Sequence, residues 1–156
     1  MGRIVEDVLE LNEILEEERK RGRCIVFGNG CFDIIHVGHI RYLKDAKALG
    51  DILVIGLNDD RSFRALKGRE PTFPAKERAE IVASILYVDY VTLFSERTAE
   101  RLILFLKPHV HAKGTDYMEE TVPEREAVLS YGGRIAIVGD RKDHSVTEII
   151  RRIRGV

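Results

Sequence analysis

The sequence has few cysteines and lacks long apolar runs, and these absences exclude several classes of protein. Cys24 and Cys31 are the two cysteines, too few for a disulfide framework, so we expect reduced thiols and a cytoplasmic location. No apolar run reaches the roughly 18 residues that a membrane-spanning helix needs. Acidic residues interrupt the apolar residues of the N-terminus (Glu6, Asp7 and Glu10), which argues against a signal peptide.

The chain also has almost no net charge. Its 25 Lys and Arg residues nearly balance its 26 Asp and Glu residues, which leaves a net charge of −1. A balance of this kind provides no long-range attraction to nucleic acid or to an anionic membrane, so we expect neither as a partner. A length of 156 residues suits one domain with its own core, and we predict a single domain over 1–156.

Two common nucleotide-binding motifs are missing. Residues 28–30 (Gly-Asn-Gly) begin like a dinucleotide fingerprint, but Asp33 occupies the position of its third glycine, and no Gly-Lys-Ser/Thr of a P-loop occurs. Cys31, His36 and His39 could be imagined as zinc ligands. That set lacks a fourth ligand at metal-site spacing, and a helix N-terminus disfavours a dication, so we predict no protein-held metal.

Apolar runs alternate with amphipathic segments along the chain, which predicts an α/β domain. The expected architecture is a doubly wound, mostly parallel five-stranded sheet with helices on both faces. The predicted strands are 24–27, 52–57, 88–94, 110–112 and 134–138. The predicted helices are an N-terminal amphipathic helix within 1–21, a helix ending at Gly50, 74–85, 98–107, a helix ending at 132–133, and 145–154.

Local signals refine three of these segments. Residues 59–72 are polar and predict an exposed connection without regular structure, flexible enough to act as a lid over phosphates. Thr121 with Glu124, and Ser145 with Glu148, have the spacing of capping boxes. We therefore expect each pair to open a helix.

The stretch after the first strand of the predicted core has the features of an anion site. The apolar run ends at Phe27, residues 28–30 form a glycine turn, and His36 and His39 stand where the next helix begins. Unpaired amides and the helix dipole favour an anion there, and glycine lets the backbone approach it closely. Residues three apart lie on one helix face, so both imidazoles can contact the same anion.

The His-x-Gly-His pattern suits nucleotidyl transfer, in which a phosphate oxygen attacks the α-phosphorus of a nucleoside triphosphate and pyrophosphate leaves. This reaction needs positioning and hydrogen-bond donors aimed at developing charge. The imidazoles of His36 and His39 and the helix amides supply such donors, and Gly38 lets the α-phosphate lie close to the backbone. The alternative for His36 is a histidine that only begins the helix or packs in the core, which its pairing with His39 disfavours.

Residues 30–39, which read GCFDIIHVGH, resemble the signature of the HxGH nucleotidyltransferases, also called the cytidylyltransferase-like superfamily. Within it, the chain is most similar to the adenylyltransferase domain of bacterial heptose 1-phosphate adenylyltransferases. The likeness extends from about Arg23 to Ile153 and implies a Rossmann-like fold. The segments that carry it are 27–33, 46–51, 54–59, 66–68, 113–117 and 145–150.

The resemblance implies roles for sixteen residues. The catalytic residues would be His36, His39, Lys67 and Thr147. The residues that contact the nucleotide would be Asn29, Gly30, Cys31, Phe32, Asp33, Gly38, Arg78, Lys113, Gly114, Asp116, Tyr117 and Ser145. Structural alternatives stay open for three of them: a surface ion pair for Arg78, a turn for Asp116, and an N-cap for Ser145.

Two residues near the C-terminus depart from the family pattern. Val146 stands where the family has the first threonine of its I-S-T-T-x-I element, and Asp143 replaces a glycine common two residues before the serine. A carboxylate near a triphosphate is unfavourable unless it turns to solvent or helps to hold Mg²⁺. The details of this loop are therefore left open.

The resemblance implies the reaction of ATP with heptose 1-phosphate to give ADP-heptose and pyrophosphate, with Mg²⁺ carried on the triphosphate. It also implies a homodimer, and a stand-alone transferase that depends on a separate kinase for its sugar phosphate. One alternative is a glycerol-3-phosphate cytidylyltransferase that uses CTP. The other is a nucleotide-binding regulator without turnover, for which the valine at position 146 is the argument.

Overall fold

A computed structural model describes residues 1–141 and 145–155. Six strands form one sheet in the order β1-β4-β3-β2-β5-β6, and every neighbouring pair is parallel. The sheet confirms the predicted α/β, Rossmann-like class, but it has one strand more than expected. The strands are β1 Arg3–Ile4, β2 Ile25–Gly30, β3 Ile52–Asn58, β4 Tyr90–Phe94, β5 Val110–Lys113 and β6 Arg134–Ile137.

Helices connect the strands and cover both faces of the sheet. Among the described helices, none is long and apolar enough to cross a membrane. A short 3-10 helix, Glu119–Thr121, precedes α6. The α-helices are α1 Val8–Lys20, α2 Val37–Lys47, α3 Asp60–Lys67, α4 Ala75–Ala83, α5 Glu100–Leu106, α6 Arg125–Ser130 and α7 Val146–Arg154.

The additional strand, β1, lies where the N-terminal helix was expected to begin. Its two residues pair with Tyr90 and Val91 at the edge of the sheet. Helix α1 therefore starts later, at Val8, where the Asp7 carboxylate accepts a hydrogen bond from the backbone N–H of Leu9 at 2.9 Å. A two-residue strand has no periodicity, so only its pairing reveals it.

The connection expected over 59–72 contains helix α3, so the prediction of an irregular segment was wrong. The Asp59 carboxylate caps the helix by accepting from the N–H of Ser62 at 2.9 Å, and Gly68 ends it with a φ of +67°. Phe63 is fully buried and fixes the inner face of the helix. Phe63 is the only large apolar residue of this helix that is buried, since Leu66 is exposed, so the sequence shows no repeated spacing of core residues here.

Of the two predicted capping boxes, one is wrong and the other forms only by its serine half. Thr121 lies in the 3-10 helix, and the Glu124 carboxylate accepts from the backbone N–H of Ala99, at the start of α5, at 3.0 Å. Ser145 does cap α7, because its Oγ accepts from the N–H of Glu148 at 3.0 Å. The Glu148 carboxylate accepts from the Arg152 guanidinium, which lies one turn later.

The central strands β2 and β3 lie between two apolar clusters, one on each face of the sheet. Every residue of β3 is buried, as is typical of a parallel strand covered on both sides. Helices α1, α5 and α6 pack on one face around Phe27 and Ile103, and helices α2 and α4 pack on the other around Leu43 and Val82. The helices on both faces confirm the doubly wound arrangement.

The direction of winding reverses between β2 and β5. From β2, the chain proceeds through β3 to β4 on one side, and it then crosses to β5 and β6 on the other side of β2. Connections that leave in opposite directions open a crevice at the carboxyl ends of the strands, where open α/β sheets bind ligands. The predicted histidine pair follows β2 at this point.

We predict that Gly56→Ala in β3 lowers the free energy of unfolding by about 1–3 kcal/mol. A methyl group at position 56 would lie 2.6 Å from Cζ of Phe27, a ring that is fully buried and cannot withdraw. Urea denaturation measures the loss. Gly114→Ala is the control, since a methyl group there meets no atom within 4 Å, and equal stability of the two variants would contradict the prediction.

Candidate active site

A cleft of about 780 Å³ lies across the carboxyl ends of the strands, at the reversal between β2 and β5. Its volume is within the range of about 300–1,000 Å³ that is usual for sites of small molecules. The walls come from the segments that follow β2, β3, β4, β5 and β6, and from the N-termini of α2 and α7. The strands thus bring together segments that are far apart in the sequence.

The two histidines of the His-x-Gly-His segment stack on one another at the start of α2, with ring centroids 3.9 Å apart. His36 is the N-cap, and its Nδ1 accepts from the N–H of Gly38 at 3.1 Å. His39 Nδ1 accepts from the N–H of His36 at 3.2 Å. Because each Nδ1 accepts, a neutral ring carries its hydrogen on Nε2, and both Nε2–H groups are hydrogen-bond donors.

The Phe32 ring packs against the imidazole of His39. Its backbone has a φ of +47°, which is uncommon for a residue other than glycine, and its ring centroid lies 5.2 Å from that of His39. A side chain at Gly30 would meet the Phe32 ring at 3.1 Å, so glycine at position 30 leaves room for the ring. Residues 28–30 are the last three residues of β2, so the prediction of a turn there was wrong. The glycine at position 30 makes room for the Phe32 ring beside His39.

Tyr42 ties α2 to the strand on the far side of the reversal. Its hydroxyl donates to the carbonyl oxygen of Ala112 in β5 at 2.6 Å. A methyl group at Gly28 would lie 2.3 Å from that hydroxyl, so glycine is required at position 28. Tyr42 was not predicted from the sequence; the glycine at position 28 was its only sequence signal.

Asn29 is held from behind by a buried histidine that was also missed in the sequence. The Nε2 of His111 lies 2.8 Å from Oδ1 of Asn29, and His111 is fully buried in β5. Burial, together with the nearby Lys113 ammonium, lowers the pKa of His111 to about 3. The ring is therefore neutral near pH 7 and fixes the orientation of the Asn29 amide at the edge of the cleft.

Lys113, Tyr117 and Glu124 form a polar floor on the β5 side of the cleft. The Lys113 ammonium lies 4.5 Å from the centre of the Tyr117 ring and 3.9 Å from Oε1 of Glu124. Burial lowers the pKa of Lys113, while Glu124 and Asp116 act in the opposite direction. Glu124 had been assigned only to a capping box, so its place in the cleft is new.

Asp33 lines the cleft but is directed toward the connection between α3 and α4. Its carboxylate accepts from the N–H and the hydroxyl of Thr72 at 2.8 and 3.0 Å, and it pairs with Arg69 at 3.0 Å. Lys67, the last residue of α3, lies in the wall of the cleft. Asp33 thus anchors the segment that carries Lys67.

Arg78 does not line the cleft, unlike the other fifteen predicted site residues. It is fully buried behind the end of β2 and donates to the carbonyl oxygens of Phe73, Cys31 and Asn58 and to the carboxylate of Asp60, at 2.8–2.9 Å. Its guanidinium fixes the backbone of these segments. Arg78 is therefore neither in contact with the nucleotide site nor part of an exposed ion pair. Its burial could not be predicted from the sequence, because an arginine in a helix is usually exposed.

Helix α7 contributes a second N-terminus to the cleft. Ser145, Val146 and Thr147 all line the wall, so the valine that departs from the family pattern lies within the site. Asp143, the other departure, lies outside the described residues. On the same side, the Asp140 carboxylate accepts from Arg41 at 2.5 Å.

Cationic residues predominate in the described wall of the cleft. Three of them form ion pairs there, namely Arg41, Arg69 and Lys113. The others, Lys67, Arg97 and Arg141, form no ion pair with any residue in the described ranges. Their charge adds to that of two helix N-termini, a combination that binds polyphosphates.

Cys31 also lines the cleft, where burial raises the pKa of its thiol.

The zinc site considered for Cys31, His36 and His39 gains no support from the described residues. Within 1–141 and 145–155, no group of three His, Cys, Asp or Glu side chains is arranged to hold a metal ion. A cleft lined by cationic side chains at the reversal of a parallel sheet, with paired histidines at a helix start, is the arrangement expected of an enzyme that acts on nucleotides.

Comparison with known proteins gives the family. A family model described as cytidylyltransferase-like matches residues 27–152, which include most of β2 and every later strand. The chain therefore belongs to the cytidylyltransferase-like family, and it is a nucleotidyltransferase. The resemblance read from residues 30–39 is confirmed.

Relatives and a solved structure agree with this assignment. The chain is 50% identical to the bifunctional protein HldE of Pelobacter propionicus over 148 residues, and 49% identical to that of Syntrophotalea carbinolica over 144 residues. These matches cover 94% and 92% of the chain but only 30% and 29% of the two relatives. The chain thus spans about a third of their length.

The crystal structure of a lipopolysaccharide core biosynthesis protein from Thermoplasma volcanium has the same fold. The two structures superpose with a TM-score of 0.67 at 29% sequence identity. The match covers 78% of this chain and all of that one. It supports the Rossmann-like architecture described above.

We predict that His111→Gln weakens the dependence of stability on pH. In the unfolded chain His111 takes up a proton below about pH 6.5, but in the folded chain only near pH 3. Its contribution to stability is complete above pH 6.5 and is lost as the pH falls, by up to about 1.4 kcal/mol per pH unit. Urea denaturation between pH 4 and 8 measures the slope, and identical slopes for the two proteins would contradict the prediction.

Proposed function

We propose that the chain transfers the adenylyl group of ATP to heptose 1-phosphate, releasing pyrophosphate. The observation that carries the proposal is the stacked His36–His39 pair, whose Nδ1 atoms are committed to backbone amides in the wall of a cationic cleft. With both Nδ1 atoms accepting from amides, this geometry supports two neighbouring Nε2–H donors for one polyphosphate. The resemblance of residues 30–39 and 113–117 to heptose 1-phosphate adenylyltransferases supports the choice of substrates.

In the proposed reaction, an oxygen of the sugar phosphate attacks the α-phosphorus of ATP. The bond from that phosphorus to the oxygen bridging to the β-phosphate breaks, and pyrophosphate leaves with the electron pair. His36 and His39 donate hydrogen bonds to phosphate oxygens on which negative charge develops, and Lys67 adds a positive charge. Gly38 lets the α-phosphate lie close to the backbone, and Thr147 with Ser145 contacts the β- and γ-phosphates.

The remaining proposed contacts are with the nucleoside and come from the segment that follows β5. Asp116 and Tyr117 border the nucleoside, where the Tyr117 ring offers a stacking face. Gly114 leaves open space beside them, since a side chain there would meet no atom within 4 Å. These roles follow from the family resemblance and from the position of the residues in the wall of the cleft.

We propose that Mg²⁺ enters the cleft bound to the triphosphate. Three of the four described acidic residues of the cleft fit this arrangement, because Asp33 and Asp140 are paired with arginines and Glu124 lies beside Lys113. Mg²⁺ is usually held by substrate phosphates and one or two carboxylates, and it neutralises negative charge on the phosphates. A cage made wholly by the protein is not required.

The names of the relatives support the sugar class. The proteins called bifunctional protein HldE are up to 50% identical to this chain, and the Thermoplasma relative is a lipopolysaccharide core biosynthesis protein. Supply of heptose for a cell-surface polysaccharide is therefore the proposed role. The homodimer implied by the resemblance also belongs to the proposal, and sedimentation of the purified chain tests it.

We predict that His36→Asn lowers kcat by about 10²–10³-fold, the scale for removing one preorganised donor. Asparagine is a good N-cap, so its Oδ1 replaces Nδ1 as the acceptor for the N–H of Gly38, and thermal stability is retained. The matched control is His109→Asn, since His109 Nδ1 also accepts from a backbone N–H, that of Ile25 at 2.9 Å, outside the cleft. A kcat within threefold of wild type for His36→Asn would contradict the role.

We also predict the substrate preference. Pyrophosphate release is measured for the four nucleoside triphosphates, each against a panel of sugar and polyol phosphates. ATP with heptose 1-phosphate should give the highest kcat/KM. Faster turnover of CTP with glycerol 3-phosphate would favour the alternative cytidylyltransferase, and release with no pair would indicate a nucleotide-binding regulator.

A further inference from the structure

A buried carboxylate in the cleft lacks a hydrogen-bond donor. Glu124 and Lys113 both line the cleft and are 2% and 8% exposed. The Glu124 Oε2 accepts from the N–H of Ala99 at 3.0 Å. Its Oε1 is buried and has no hydrogen-bond partner among the residues that the structure describes.

The adjacent ammonium does not satisfy this oxygen. Lys113 Nζ lies 3.9 Å from Glu124 Oε1, which is too long for a hydrogen bond. The ammonium is instead placed over the Tyr117 ring, at 4.5 Å from its centre, where a cation–π contact stabilises it. A buried carboxylate oxygen without a donor is unfavourable, because its lost hydration is not replaced, so a donor from a ligand would be strongly retained.

The chemistry of the missing group follows from its two neighbours. An atom between them must accept a hydrogen bond from an ammonium and donate one to a carboxylate. A hydroxyl oxygen does both, whereas an amino group toward these neighbours only donates and a carbonyl oxygen only accepts. An oxygen about 2.8 Å from each atom spans the 3.9 Å between them.

We infer that Lys113 and Glu124 together bind one hydroxyl group of a substrate and that Glu124 determines specificity for it. The inference rests on the proposed function for the identity of the substrates. Two substrates of the reaction carry hydroxyl groups, namely the ribose of the nucleoside triphosphate and the sugar of the sugar phosphate.

The experiment pairs Glu124→Gln with substrates that lack one hydroxyl. In the first arm, calorimetry measures the binding of ATP, 2′-deoxy-ATP and 3′-deoxy-ATP. In the second arm, pyrophosphate release gives kcat/KM for heptose 1-phosphate and its singly deoxygenated analogues. With wild type, the affinity or the kcat/KM for one analogue should be lower by roughly 10–100-fold, the scale of a hydrogen bond to a charged group.

With Glu124→Gln, the loss for that same analogue should shrink to less than about threefold, because the contact is already gone. Such non-additivity identifies a direct interaction. The matched control is Asp140→Asn, another carboxylate of the cleft, which is paired with Arg41 and should keep the wild-type discrimination. Thermal unfolding checks both folds, and the double variant Lys113→Met/Glu124→Gln replaces Glu124→Gln if the unpaired ammonium prevents folding.

The outcomes separate this inference from the proposed function. Non-additivity in the ribose arm without turnover of any sugar phosphate supports the inference and contradicts the proposed function. Turnover of heptose 1-phosphate with additive losses in both arms overturns the inference alone. If wild type distinguishes each substrate from its deoxygenated analogue by less than threefold in both arms, only water occupies the position, and the inference is overturned. Additive losses in the ribose arm without turnover of any sugar phosphate overturn it as well.

Discussion

Two backbone amides at the start of α2 determine the chemistry of the cleft. The N–H groups of Gly38 and His36 each donate to an imidazole Nδ1, and the hydrogen of each neutral ring is thereby assigned to Nε2. Formation of the helix start thus settles the tautomer of two neutral histidines at once. The stacked rings, 3.9 Å apart, can then act as one preorganised pair of donors, which is what transfer at phosphorus requires in the proposed function.

The sheet supports this pair by bringing five strand ends to one edge. The reversal between β2 and β5 opens the cleft, and the Tyr42 hydroxyl joins α2 to β5 across it. Behind the cleft, the buried Arg78 guanidinium donates to the backbone carbonyl oxygens of Cys31, which follows β2, and of Asn58, which ends β3. The cleft therefore has a rigid back, while the cations at its entrance lie on α3 and on the connections after β4 and β6.

Much of this arrangement could be predicted from the sequence, because the strong signals are local. Buried parallel strands such as β3 read as continuous apolar runs, and the histidine pair lies within four residues of chain. The features that depend on contacts between residues far apart in the sequence were missed. Strand β1 has two residues and only its partner β4 reveals it, and Glu124 caps α5 rather than its own helix. Arg78 and His111 are polar residues that became buried, which no period in the sequence indicates.

The most direct test of the central claim is nitrogen NMR of the histidine rings with and without a non-hydrolysable ATP analogue. The account predicts that His36 and His39 are Nε2–H tautomers in the unliganded protein and that both Nε2 resonances shift when the analogue binds. His109, whose Nδ1 accepts from the N–H of Ile25 outside the cleft, serves as the internal reference and should shift least. A proton on Nδ1 of either ring, or Nε2 resonances of both rings that do not move at saturating analogue, would contradict the account.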